Sequence, residues 1–374
     1  MISKSDLERI LQQAESERPV LSLFLDMSVD STNKRHHQVF LNQKRTQFAE
    51  LAGDDPAIDS RQMEAVLDRV EKWLEDGFEE ENRGVVVYAE VGGDYFEALQ
   101  FPVPIPNRMV VSDKPVIGPL AQVIESYHHH GVVLMDREHA RILSVYLGTL
   151  LDEFVIRSEP VDTPHDVQAG GYSQSRYQRR KREEMKHFFR EFVKEIEEFD
   201  RRYSPHDLVI LGTDENVARF REHLPETLLD KLVYTGPMAV DEPTTEILAR
   251  LEPHLQAERE RETREIVHQV RDRVANDYLA TAGVQGTLSA LQEGKVDTLV
   301  LSRDQQRDGT RCGQCGFVFA RHLRACPYCG SEALAPVDAV EEMVRMAEGQ
   351  GVTIEFVEPG TLDDLRGVGA LLRF

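Results

Sequence analysis

The chain has 374 residues, enough for two or three domains that each bury an apolar centre, and its 44 Lys and Arg face 66 Asp and Glu, for a net charge of −22. That balance excludes a general nucleic-acid coat, so DNA is not an expected partner and any RNA contact has to be local. No run of about twenty apolar residues occurs and the N-terminal MISKSDLERI is polar, so a soluble, cytoplasmic protein with no membrane partner is expected.

Ser3 or Ser5 can cap a first helix over residues 7–13, and the β-rich run 20–25 predicts a strand behind it. Helices are predicted over 38–51 and 61–74, separated by the breaker GDDP, and 84–88 reads as a buried strand. Residues 101–119 hold five prolines, carry little helix signal, and are expected to be the passage to a second domain. Beyond it, 131–135 and 142–146 suggest two strands joined by a polar turn. Asp136, Glu138, His139 and Arg141 sit on that turn, where ion pairs are expected to support it.

A polar loop over 159–175 leads into a long helix, 176–199. A compact strand at 208–212 and a helix near 216–223 follow, the alternation of a layered α/β domain. Residues 244–279 read as a charged connecting helix interrupted at Pro253, with Ile266, Val270 and Val274 as a narrow apolar stripe. The last part predicts a helix at 286–293, a strand at 298–302, a helix at 339–348 and a strand at 352–357. The apolar C-terminal run is expected to dock as a strand.

Cys312, Cys315, Cys326 and Cys329 are all the cysteines in the chain, spaced C-x2-C, ten residues, C-x2-C. Two residues between cysteines let one tight turn present both sulfurs to a single ion, and Gly313, Gly316 and Gly330 offer permissive backbone. A structural Zn2+ is expected, because four thiolates leave no coordination position open for chemistry. Cysteines confined to this pattern also agree with a reducing compartment. The adjacent His128, His129 and His130 cannot all face one ion from a single strand or helix, and an exposed loop is expected there.

Residues 176–186 hold six of the 44 cations. Arg176, Arg179, Arg180, Lys181 and Arg182 cluster at the start of a helix, where the macrodipole disfavours cations, and a phosphate partner would resolve that conflict. Glu183, Glu184 and Glu191 could instead balance them across a solvated face. No P-loop, nucleophile elbow or dinucleotide fingerprint is present.

The hairpin carrying Asp136-x-x-x-Ala140-Arg141, the loop Ala169-Gly-Gly-Tyr-Ser-Gln-Ser-Arg-Tyr177 before an arginine-rich helix, and the cysteine-bearing domain closing on Gly367-Val-Gly-Ala-Leu-Leu-Arg-Phe374 together carry a resemblance. Over residues 115–374 the chain resembles the archaeo-eukaryotic class I peptide release factors and Pelota, and more closely their bacterial relatives, among which are Balon-like hibernation factors. The resemblance implies three α/β domains. These are an N-terminal domain at 1–115, a ribonuclease-H-like domain at 116–254, and a kink-turn-binding ribosomal-protein-like domain at 255–374 with a zinc ribbon inserted at 312–329. It implies the ribosome as partner, with rRNA and peptidyl-tRNA contacted near the loop, and a translational GTPase that delivers the protein. The final forty-four residues, with nine acids against three arginines, suit a protein partner.

In release factors a Gly-Gly-Gln loop enters the peptidyl-transferase centre. With Gly170 and Gly171 matched to that motif, Tyr172 stands at the glutamine position and the protein would bind without hydrolysis, as a hibernation or rescue factor. With two residues more in the loop, Gln174 becomes the glutamine, preceded by Ser173, and the protein would be a ribosome-dependent peptidyl-tRNA hydrolase. An amide has no useful basicity, so the glutamine's role would be to position water and the developing oxyanion.

Overall fold

The computed structural model describes residues 18–54, 60–157 and 173–374. The helix expected at 7–13 and the glycine pair lie outside them. The architecture is mixed α/β, in two compact units: residues 127–261 form one, and the segments before and after them form the other.

The first segment begins with β1 (Val20–Asp26), α1 (His37–Asp54) and α2 (Ser60–Gly77), followed by β2 (Gly84–Glu90), β3 (Phe96–Phe101) and β4 (Arg108–Ser112). The strands make one antiparallel sheet in the order β3-β2-β1-β4. Met63, Val66, Leu67 and Val70 of α2 recur at helical spacing and pack on Leu21, Leu23 and Leu25 of β1. The opposite face of β1 is closed too. Phe24 meets Tyr88 edge-on, the buried Ser22 hydroxyl accepts from Val116 N at 2.9 Å, and Tyr88 donates to Val116 O at 2.9 Å. Residues 101–119 are therefore not a bare passage. Their proline-free stretch is the edge strand β4, registered on β1, with Pro102, Pro104 and Pro106 before it and Pro115 after it.

The chain then forms α3 (Gly118–Ser126), whose first N–H groups are met by a carboxylate from far along the sequence. Glu341 accepts from Ile117 N at 2.6 Å and Gly118 N at 3.0 Å, so its carboxyl group caps the positive end of the helix; burial raises its pKa and those two N–H groups oppose the rise. Nearby, Arg345 donates to Pro115 O at 2.9 Å, and Arg311 pairs with both Asp113 and Glu342.

The unit 127–261 contains β5 (His130–Met135), β6 (His139–Tyr146), β7 (Thr149–Arg157), α4 (Ser173–Tyr203), β8 (Asp207–Leu211), α5 (Asp214–Arg221), α6 (Glu226–Leu229), β9 (Leu232–Gly236) and the first half of α7 (Thr244–Ala275). Its sheet runs β7-β6-β5-β8-β9, antiparallel from β7 to β5 and parallel from β5 to β9. On one face Phe188, Phe189, Phe192 and Ile196 of α4 pack on Val133, Ile142 and Ile210; on the other Ile247, Leu251 and Leu255 of α7 pack on Val132, Leu143 and Val209. A strand buried on both faces reads as an unbroken apolar run, as β5 and β8 do. The expected hairpin is β5–β6, with Asp136 at its turn accepting from Glu138 N and His139 N, both at 2.7 Å. Arg141 is off the turn. It sits on β6, bonded to Glu153 at 2.8 Å and to the carbonyls of Val240 and Glu242 at 2.6 and 2.7 Å.

The last segment adds β10 (Ala280–Ala282), α8 (Val284–Gln292), β11 (Val296–Ser302), β12 (Asp308–Cys312), β13 (Val318–Phe319), β14 (Leu334–Asp338), α9 (Ala339–Gln350), β15 (Thr353–Val357) and β16 (Val368–Leu372). The C-terminal strand is internal to its sheet, order β10-β16-β11-β15. The expectation of a solvated connecting helix fails for the end of α7. Val267 and Val270 are buried against Val300, Leu362 and Leu365, with Ile266 and Val274 partly covered beside them. Burial also revises the acidic C-terminus, since Glu341 and Glu342 are interior and the surface acids there are fewer than the count suggests.

In this unit the largely covered Glu125 on α3 lies beside the half-buried Glu355 on β15. Burial first, then the neighbouring Glu355 carboxylate, pushes Glu125 up to about 8. The folded chain keeps a proton that the unfolded chain releases above the ordinary glutamate range, so stability falls as pH rises from about 4.5 to about 8. Glu125→Gln is expected to flatten that slope and to gain on the order of 2 kcal/mol at pH 8 relative to pH 5, read by urea denaturation at the two pH values. An unchanged slope contradicts the shared proton.

Candidate functional site

The four cysteines are brought together by two knuckles built alike. β12 ends in the first pair, and a short sheet in the order β13-β12-β14 supports them. In each knuckle the glycine after the second cysteine has a positive φ, 75° at Gly316 and 74° at Gly330. Each donates its N–H to the carbonyl of the first cysteine at 2.9 Å, a turn that a side chain would strain. Gly313, expected to serve in the same way, lacks a positive φ and instead donates to Ala333 O at 2.8 Å.

The sulfurs of Cys312 and Cys329 are 3.5 Å apart, those of Cys315 and Cys326 3.6 Å, and all four lie within 4.8 Å of one another. Four thiolates around a tetrahedral ion at about 2.3 Å would be separated by about 3.8 Å, so the nest fits one metal ion. Backbone N–H groups favour the ligand form. That of Cys315, with Gln314 N–H assisting, brings the Cys312 thiol down to about 6 against its burial. Burial pushes Cys326 up, but the N–H groups of Cys329 and Tyr328 outweigh it. The local core is small, with Cys312, Phe319 and Cys326 buried and Phe317, Leu323 and Leu334 packed on them.

The loop candidates are placed less completely. Gly170 and Gly171 lie outside the described residues, as does Tyr172. The backbone of α4 begins at Ser173, three residues before the predicted start, which puts Gln174 in its first turn and Arg176, Arg179, Arg180, Lys181 and Arg182 within its first three turns. The helix is anchored beyond them by the phenylalanines that grip the sheet.

The histidines do not form an exposed loop. Strand alternation turns His128 and His130 to one side and His129 to the other, where His129 Nε2 lies 2.8 Å from the Ser144 hydroxyl and burial lowers its pKa. His130 is buried, and its side chain meets Asp207, a partner invisible to local sequence patterns because it lies on β8. Among the described residues no helix is long and apolar enough to cross a membrane.

Residues 115–259 match the family model described as bacterial archaeo-eukaryotic release factor family 10. The chain is similar to peptide chain release factor subunit 1 of Pyrococcus abyssi and of Thermococcus kodakarensis, each 26% identical over 316 residues that cover 74% of both chains. The same factor from Methanocaldococcus jannaschii is 24% identical over 364 residues, 83% of each chain. Among solved structures, Saccharomyces cerevisiae Dom34, a translation termination-like factor, aligns over 100% of this chain and 91% of its own, with a TM-score of 0.43 and 9% identity.

Proposed function

We propose, from the premise that this chain is a member of the release-factor/Pelota superfamily, that it is a translation factor that enters the ribosomal A site and hydrolyses the ester of peptidyl-tRNA. The observation that carries this reading is the family match at 115–259, which encloses both the Gly-Gly loop and the basic start of α4. Gly170 and Gly171 let the backbone approach crowded RNA, and Gln174 orients water at the ester. The first turn of a helix supports that role, because its N–H groups have no partner within the helix and face developing negative charge with the positive end of the dipole. Ser173 precedes Gln174 at the mouth of the same helix.

Arg176, Arg179, Arg180, Lys181 and Arg182 hold the rRNA or tRNA backbone near the ester, a contact that positions without reading sequence. Replacing Arg179, Arg180, Lys181 and Arg182 together by glutamine is expected to weaken ribosome binding by about tenfold to a hundredfold at roughly 0.1 M salt. It should also make the plot of log affinity against log salt shallower by about 3, as read by filtration or pelleting. An unchanged salt slope contradicts a phosphate role for these residues.

The sheet order β7-β6-β5-β8-β9 supports a ribonuclease-H-like central domain within the division 1–115, 116–254 and 255–374. Zn2+ is the ion for the cysteine nest, held as a structural site. A translational GTPase is the delivery partner, and exposed Glu358 and Asp363 give it an acidic surface on the last domain. A translation factor of this kind acts in the cytoplasm.

Tyr172 favours a second reading. In the register that aligns Gly170 and Gly171 with the release-factor glycines, it replaces the glutamine, and the protein then occupies the A site without hydrolysis, as a hibernation or rescue factor. Release of labelled peptide from ribosomes with an empty A site separates the two readings, with binding followed in parallel.

A further inference from the structure

The parallel pairing of β5 with β8 sets His130 opposite Asp207 and so brings the approaches to both strands together. His206 N and Asp207 N both point to His129 O, at 2.8 and 3.4 Å, which fixes the two segments side by side. Around the buried Asp207 carboxylate stand three imidazoles. His206 Nδ1 is 2.8 Å from Oδ1, His130 Nδ1 is 3.0 Å from Oδ2, and His128 Nδ1 is 3.7 Å from Oδ2. The rings of His128 and His206 have centroids 4.0 Å apart.

The geometry points to a second metal site, in which His128, His206 and Asp207 bind a divalent transition-metal ion of the zinc, cobalt or nickel class. One donor atom from each of the three lies within 4.8 Å of the others. Ligands about 2.0–2.2 Å from a shared ion stand about 3–3.5 Å apart, against 2.8 Å from His206 and 3.7 Å from His128 to the Asp207 carboxylate. Two imidazoles and one carboxylate suit a borderline ion and are too few oxygens for calcium or magnesium.

A separate observation points the same way. The His130 side chain is only 7% exposed, yet its Nδ1 lacks a hydrogen bond of good alignment while aimed at the carboxylate, and the buried Nδ1 of His128 lacks one too. Buried nitrogens left in this state are costly in an empty site and useful beside an ion. A cavity of about 30 Å³, whose walls include Tyr127, His128, His130, Glu252 and Arg259, adjoins the His128 side of the cluster and has room for a water molecule. Arg259 in its wall lies 3.8 Å from Glu252, which offsets its charge. Bound there, the ion would clamp the ends of β5 and β8, far in sequence from the cysteine nest.

Titration of the full-length chain with Co2+ tests this site independently of ribosome work. Thiolate-bound cobalt gives a strong charge-transfer band, whereas a histidine and carboxylate site does not, so the two sites are counted separately alongside metal analysis after dialysis. The expected result is one equivalent without the thiolate band, weakened by about tenfold or more in both Asp207→Asn and His206→Ala. His206 is largely exposed, so its variant should keep the native circular dichroism spectrum even if Asp207→Asn misfolds. Wild-type protein that binds no cobalt beyond the thiolate equivalent, or His206→Ala that binds the additional ion as tightly as wild type, overturns the proposal.

Discussion

Gln174→Ala is expected to slow peptide release from ribosomes by about 10²- to 10³-fold while leaving ribosome binding unchanged, the cost of removing one well-placed hydrogen-bonding group from an ester-hydrolysis site. The asymmetry between rate and binding is what identifies the residue. A group that only helps the protein dock would weaken binding and release together, whereas one that positions water at the ester acts chiefly in the transition state. Gln174 lies at the very start of α4, so truncating it leaves untouched the phenylalanines that anchor the helix from Phe188 onward. Tyr172→Ala serves as the companion. With Gln174 as the active glutamine, Tyr172→Ala retains release within about tenfold of wild type, well short of the loss from one missing oxyanion-hole donor. If neither wild type nor either variant releases peptide while all bind, the glutamine register is wrong and the non-hydrolytic reading stands.

Removal of the zinc proposed for the cysteine nest should have the other large effect. The ribbon's apolar core is too small to hold β12, β13 and β14 in place alone, and four thiolates around one ion supply on the order of 10 kcal/mol in comparable small sites. One equivalent of tightly held zinc per chain is expected at the thiolates. Chelation, or Cys326→Ser at a buried ligand, should open residues 312–330 to proteolysis while the phenylalanine core of the middle unit stays resistant. Metal-free protein as resistant in the ribbon as the zinc form contradicts a structural metal.

Much of this architecture was legible because it is local. Residues 20–25, 84–88 and 131–135 are apolar runs long enough only for buried strands, and the cysteine spacing carries its own turn geometry. What escaped depends on partners distant in sequence. β4 hides among prolines and becomes a strand only through its register with β1; β7 and β9 are edge strands whose sequences show little apolar–polar alternation. The stripe on α7 looked like a solvated face because nothing near it in sequence announces Val300 or Leu365. The histidine triplet misled for the same reason. Alternation correctly forbids one ion for all three, but the ligand set drawn from His128, His206 and Asp207 crosses two parallel strands. The Glu341 carboxylate on α3 likewise joins residues more than two hundred positions apart.

Action in the A site is tested most directly by pelleting the full-length chain with ribosomes that carry P-site tRNA and either a vacant or a filled A site. Near-stoichiometric binding to the vacant complex, lost when aminoacyl-tRNA occupies the A site, is the expected result. Binding that is absent from both complexes, or equal in both, contradicts a translation factor that works from that site.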